Sequence, residues 1–240
     1  MPNLIANWPA PANIGALTTT RLQGNSLAAF ASNNLGLHVG DDETLVLANR
    51  QQLSQSLGLS NEPAWLEQIH SNCCVVVEDD RNRVADAAVT RSPNHPLVIM
   101  TADCLPILLC DNQGSEIAAI HCGWRGLANG IIENTLATMK SKPENIIAWL
   151  GPAICPQCFE VGEDVRQSYI GRYPYTAATF IEQGPRLFAN LAAMAELILY
   201  DHGINAVYQS KACTFELKNK FYSYRREAKT GRMATLIWFK

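Results

Sequence analysis

The feature that most constrains this chain is a succession of short, Val- and Ile-rich runs, each closed by turn residues and interleaved with longer stretches of helical periodicity. The runs are Cys73–Glu78, Leu97–Met100, Pro106–Cys110, Ile117–Ile120, Ile146–Leu150, Ala206–Gln209 and Ala234–Phe239. Runs this short and this rich in β-branched residues suit strands. Asp111-Asn112-Gln113-Gly114 separates two of them and reads as the turn between paired strands. Three helices are expected between the strands. Glu43–Leu57 follows Asp41 and Asp42, either of which can cap it. Leu127–Lys140 places Leu127, Ile131 and Thr138 at helix spacing and ends before Pro143. Leu187–Tyr200 sets Leu187, Leu191, Met194 and Ile198 on one face, with Gly203 as the stop. No repeat, low-complexity tract or linker interrupts the pattern. The expectation is one α/β domain over residues 1–240, with mixed sheets flanked by helices.

Composition narrows the function classes. Apolar residues make up 48% of the 240 positions and charged residues 17%, a balance that builds a core and opposes disorder. The net charge of −3 is spread along the chain and lacks the basic footprint of a nucleic-acid binder. A small-molecule partner is expected instead. No apolar run is long enough to span a bilayer, and the N-terminal residues lack a basic segment followed by an apolar stretch, so a cytoplasmic protein is expected. Eight cysteines in such a chain, several inside apolar runs (Cys73, Cys74, Cys110), read as reduced residues rather than a disulfide framework.

Three segments concentrate the unusual chemistry: Gln68-Ile69-His70-Ser71, Thr101-Ala102-Asp103-Cys104 and His121-Cys122-Gly123-Trp124-Arg125-Gly126. The second and third follow the strand runs Leu97–Met100 and Ile117–Ile120. If those strands run the same way in one sheet, Cys104 and His121 emerge on the same edge. Two imidazoles and a thiolate suit zinc with a fourth position open, and such a site lowers the pKa of bound water toward neutrality. Asp103, beside the thiolate, is placed to orient a ligand or act as general base. Separations of 34 and 17 residues form no local zinc motif, however. A core cysteine with two hydrogen-bonded histidines fits the spacing equally.

The segments taken together resemble a known family. Thr20-Arg21, Asn34-Leu35-Gly36-Leu37-His38-Val39-Gly40-Asp41-Asp42 and Asn49-Arg50 are similar to its N-terminal signature. Gln68-Ile69-His70, Ala85-Asp86-Ala87-Ala88-Val89-Thr90, Thr101-Ala102-Asp103-Cys104-Leu105-Pro106 and His121-Cys122-Gly123-Trp124-Arg125-Gly126-Leu127 follow in order. Gly151-Pro152-Ala153-Ile154, Phe159-Glu160-Val161-Gly162, Cys213-Thr214, Phe221-Tyr222-Ser223-Tyr224-Arg225-Arg226 and Thr230-Gly231-Arg232 complete the match, from about residue 18 to 240. This is the YfiH/YlmD group. The resemblance implies a mixed α/β fold shared with a bacterial deamidase toxin domain, and a zinc site of His70, Cys104 and His121. Copper is an alternative occupant of such a donor set. The resemblance also implies phosphorolysis of adenosine, inosine and methylthioadenosine, and adenosine deamination. Asp103 and Arg125 become the candidate catalytic residues. Arg21, Trp124 and Arg225 become candidates for holding phosphate or purine, since guanidinium forks suit phosphate. Two positions depart from the pattern: Ser71 replaces a common glycine, and Cys122 replaces a common alanine and puts a further soft donor beside His121.

Three competing readings remain. Members of the group have been labelled polyphenol oxidases, but a multicopper oxidase needs a histidine-rich trinuclear cluster, and this chain has five histidines and no His-x-His pair. A cysteine or metallo-hydrolase that edits amino acids in peptidoglycan precursors would use Cys104 as nucleophile and His121 as base. A non-catalytic purine- or metal-binding module is the third. Cys155-Pro156-Gln157-Cys158 has redox-motif spacing, but no second half of a thioredoxin-like fold accompanies it.

Overall fold

The structure is a computed structural model that describes residues 3–240. Its strands form three sheets. The largest has six strands: β3 (Cys74–Val76), β4 (Ala87–Thr90), β6 (Leu105–Asp111), β7 (Ile117–Cys122), β8 (Ile146–Leu150) and β12 (Ala206–Gln209), in the order β12-β8-β6-β7-β4-β3. Its two outer pairs are parallel and the inner ones antiparallel, so the sheet is mixed. A four-stranded antiparallel sheet orders β1 (Leu4–Ile5), β2 (Ile14–Thr18), β13 (Met233–Phe239) and β5 (Leu97–Thr101). A small third sheet joins β10 (Phe180–Gln183), β11 (Arg186–Ala189) and β9 (Glu160–Val161).

Period-2 alternation divides the core into layers. Leu105, Ile107 and Leu109 of β6 face one way, with Ile120 of β7, into the cluster shared by α3 (Ile131–Thr138), α4 (Glu163–Ile170) and α5 (Leu191–Asp201). Leu108 and Cys110 face the other way and meet Leu97, Ile99 and Ile237 of the four-stranded sheet. The far side of that sheet, through Leu17, Val98 and Leu236, packs against Leu53 of α1 (Glu43–Leu57). The layers therefore run helix, sheet, sheet, helices in one α/β domain. No helix among the described residues is long and apolar enough to cross a membrane.

The α1 boundaries match the sequence reading. Asp42 is its cap, accepting from the Thr44 and Leu45 amides, and Gly58 closes it in the left-handed region. The Asp111–Gly114 turn joins β6 and β7 as expected, with Asp111 accepting from Ser115 and Glu116.

The other two helices need correction. Leu127–Lys140 is not one helix: α2 (Trp124–Ala128) ends at Asn129, and Gly130, at φ +89°, starts α3 on a new axis. Residues 187–189 of the third candidate belong to β11, because Leu187 and Phe188 pair with Phe180–Gln183 across a turn at Gly184. Asn190, which interrupts the apolar run, is the cap of α5 and accepts from the Ala193 amide.

Candidate functional site

β5 and β7 lie in different sheets, so Cys104 and His121 do not meet by following parallel strands of one sheet. They meet because β6 and β7 are antiparallel: Leu105 pairs with Cys122 and Pro106 with His121. The start of one strand thus lies beside the end of the next. His70 comes from a loop, at φ +61°, and Asp103 sits at φ +92°. Non-glycine residues in that region cost about 1–3 kcal/mol each and persist only where the surroundings impose them.

Asp86, buried at the start of β4, does the imposing at His70. Its carboxylate accepts from the backbone amides of Ile69, His70 and Ser71, at 3.3, 3.0 and 2.6 Å, and from Ser71 Oγ at 2.7 Å. It also lies 2.8 Å from His121 Nδ1. One carboxylate therefore fixes both histidines, one through its loop and one through its ring. With Nδ1 of His121 committed, Nε2 is the atom left to face a ligand.

The ligating atoms of His70, Cys104 and His121 lie within 4.8 Å of one another, and Cys104 Sγ is 3.9 Å from His70 Nε2. Zinc bond lengths at a tetrahedral angle put a sulfur and a nitrogen about 3.5 Å apart. The His70–Cys104 edge is thus within a few tenths of an ångström of what a zinc-sized ion needs, and no two of the three donor atoms are more than 4.8 Å apart. Glycine supplies the room. A Cβ on Gly123 would stand 2.8 Å from His70 Cδ2 and 3.3 Å from Cys104 Sγ, and one on Gly126 would stand 2.7 Å from the Ser71 carbonyl. Cys122 is not a further donor: on the opposite face of β7 from His121, it is fully buried in the apolar core.

The electrostatics of the trio oppose one another. Burial pushes the Cys104 thiol up, but the charge and hydrogen bonds of His121 and His70 outweigh it and bring it down to about 6. Burial lowers His121, yet the Cys104 thiolate and Asp86 raise it to about 9. Asp86 itself, despite burial, is held below the ordinary carboxylate range by His121 and Ser71. Each of Cys104 and His121 thus favours the charged form of the other.

The trio forms one wall of a cavity of about 440 Å³, which suits a small ligand. Arg125, Arg225 and Arg232 line it, with His38, Gln68, Phe159 and Tyr224. Arg125 stacks 4.3 Å over the Trp124 ring, and its guanidinium makes no hydrogen bond among the described residues. Arg225 donates to the Glu160 carbonyl and lies over Phe159. Asp103 also lines the cavity, but its carboxylate is occupied by Thr214 Oγ1, Ser223 Oγ and the Arg225 amide at 2.6, 3.0 and 2.7 Å. Orientation of the histidine, expected of Asp103, falls to Asp86.

Two sequence candidates stand back from the cavity. Arg21 bonds the carbonyls of Ala31 and Lys218 and stacks on Tyr222. Trp124 packs against the core behind Arg125.

Several residues in or behind the cavity carried no assignment from sequence. Asp86 had a signal: a carboxylate inside an apolar strand run needs strong partners. His38, which the sequence marks only as part of the Asn34–Asp42 run, faces the cavity. Burial and the charges of Arg232, Arg50 and His121 hold its pKa below the ordinary imidazole value. Gln68 is a brace, bonded to Met100 at both ends of its amide.

A family model described as "multi-copper polyphenol oxidoreductase laccase" matches residues 15–240. A Haemophilus influenzae protein named purine nucleoside phosphorylase is 46% identical over 239 residues, covering 98% of each chain. The Escherichia coli protein named purine nucleoside phosphorylase YfiH is 40% identical over 237 residues, again covering 98% of each. The crystal structure of a Neisseria meningitidis protein superposes with a TM-score of 0.96 at 44% identity, covering 100% of both chains. The oxidase wording of the family model asks for a multicopper histidine cluster, whereas the one His/Cys group among the described residues holds two histidines. The comparisons agree on the lineage, and this chain belongs to the YfiH family.

Proposed function

We propose that this chain is a zinc-dependent purine nucleoside phosphorylase that breaks the ribose–purine bond with inorganic phosphate. The observation that carries the reading is one cavity presenting His70, Cys104 and His121 beside three guanidinium groups. The names borne by the 40–46% identical relatives support it. Phosphate is a dianion at neutral pH, and planar guanidinium forks hold it in a fixed orientation. Arg125, whose donors are unshared, is the first candidate for that hold, with Arg225 and Arg232 closing the positive wall. Tyr224 offers an exposed ring to the purine. His38, whose pKa burial lowers, is placed to hydrogen-bond the base. Zinc at His70, Cys104 and His121 would supply Lewis acidity at the adjoining wall. Asp103 acts as a positioning residue that fixes the Arg225 backbone. Arg21 and Trp124 support the site from behind. Methylthioadenosine phosphorolysis and adenosine deamination are included in the proposal as activities of the same cavity.

The test is adenosine plus phosphate, with adenine and ammonia followed by chromatography, before and after chelation and with zinc restored. Phosphate-dependent adenine release that falls at least tenfold on chelation, returns with zinc and is absent in Cys104→Ala is expected. Undiminished turnover after complete metal removal would overturn the zinc requirement. A second reading rests on the depressed Cys104 thiol beside His121, the arrangement of a cysteine nucleophile and its base. It predicts amide hydrolysis on peptidoglycan precursors that survives chelation and is abolished by alkylation of Cys104.

A further inference from the structure

A second group of soft donors lies outside this cavity. Cys155 and Cys158 belong to a Cys-Pro-Gln-Cys turn, and the Cys158 amide donates to the Cys155 carbonyl at 3.0 Å. Cys213 arrives from the other side of the chain, where Ala153 and Cys213 form a parallel bridge and the Thr214 amide donates to the Ala153 carbonyl. The three sulfurs lie within 4.8 Å of one another. The Cys155 amide points at Cys213 Sγ, 3.3 Å away, and the Cys155 and Cys213 sulfurs are 2.9 Å apart. Packing alone does not require three thiols at one point, with a backbone amide directed at one of them. Thiolates bound to a common zinc-sized ion stand about 3.8 Å apart, so the shortest edge has to open by about 0.9 Å. A shallow cavity, lined by Cys155, Pro156, Gln157 and Lys211, leaves a way in.

We propose that Cys155, Cys158 and Cys213 form a second metal site, for a soft d10 cation such as zinc(II) or copper(I). Binding replaces three S–H bonds by three metal–sulfur bonds and releases three protons to solvent, with no change of oxidation state. Three soft thiolates without imidazole or carboxylate favour zinc and copper(I) over hard cations. The site would act as a staple behind the cavity. The Ile154 amide donates to the Asp103 carbonyl, and Thr214 Oγ1 donates to the Asp103 carboxylate. A cation tying Cys155 to Cys213 would lock together the two segments that hold Asp103 in its left-handed conformation.

The experiment uses full-length protein purified and stripped under reductant without oxygen, then titrated with zinc(II) and, separately, with copper(I) against a competing chelator. Wild type is expected to bind two ions, Cys104→Ala one, and the Cys104→Ala/Cys213→Ala pair none, with whichever cation binds tighter naming the occupant. A Cys104→Ala protein that binds neither cation overturns the proposal. So does a Cys213→Ala change that leaves its stoichiometry untouched. In case the double variant does not fold, alkylation of Cys104→Ala with and without zinc, mapped by mass spectrometry, reads the same point. Protection of Cys155, Cys158 and Cys213 by at least tenfold supports the site, and equal labelling overturns it.

Discussion

Cys104 and His121 are each pulled away from their ordinary pKa by the other. In the metal-free protein the thiol sits at about 6 and the imidazole at about 9. The depressed thiol stabilises the fold above its unfolded value, and that contribution is lost as pH falls through about 6. The raised imidazole stabilises below its unfolded value and is lost as pH rises through about 9. Between these limits one contribution grows as the other fades, so together they keep the stability of the metal-free protein nearly level there. Ultraviolet absorbance of the thiolate should rise with a midpoint of about 6 and should lack that step in Cys104→Ala. Cys74 and Cys110, pushed by burial to about 11 and about 12, stay protonated over the same range. Superimposable titrations of the two proteins would remove the ion pair from the description of the site.

A hairpin, a loop and a helix start together make the site, and their junction is Gly123. Its φ of −66° is open to any residue, so an alanine there tests space rather than backbone strain. The added Cβ would meet His70 Cδ2 at 2.8 Å and Cys104 Sγ at 3.3 Å. Gly123→Ala should therefore displace the His70 ring, weaken zinc roughly 10–100-fold, as outer-shell changes do, and cost about 1–3 kcal/mol of stability. Competition against a chromophoric chelator measures the first and denaturant unfolding the second, and wild-type zinc affinity would refute the packing argument. Sequence could read the parts but not this junction. Seven of the thirteen described strands and α1 were legible because period-2 runs, the Asp111–Gly114 turn and the Asp42 and Gly58 caps are local signals. The register that sets Leu105 against Cys122 is nonlocal, so 34- and 17-residue separations left the ligand trio undecided until the family resemblance was applied. The helix misreadings have the same origin. Leu187 satisfies helical spacing as well as strand alternation, and only its pairing with Glu182 decides.

At the scale of the molecule, the site joins segments from most of the chain. β13, near the C-terminus, lies between β2 and β5, and Thr214, Ser223 and Arg225 converge on Asp103 from the segment preceding β13. His70 and His121 are tied through Asp86 at the start of β4 in the six-stranded sheet. An unfolded chain has no such convergence, so a cation that binds the trio binds the folded state and stabilises it by mass action. At free zinc 100 times the dissociation constant the gain is about 2.7 kcal/mol. For a chain of this size each kcal/mol raises the melting temperature by about 2–4 °C, which makes the expected rise roughly 5–10 °C. Cys104→Ala removes one ligand of the trio and leaves Cys155, Cys158 and Cys213 intact, so a cation held by that second group would stabilise both proteins alike. The discriminating quantity is the difference between them: the zinc-induced rise in wild type should exceed that in Cys104→Ala by roughly 5–10 °C in paired thermal melts. Equal rises would mean that the trio does not hold zinc in the folded protein, and the proposed phosphorylase would lose its metal.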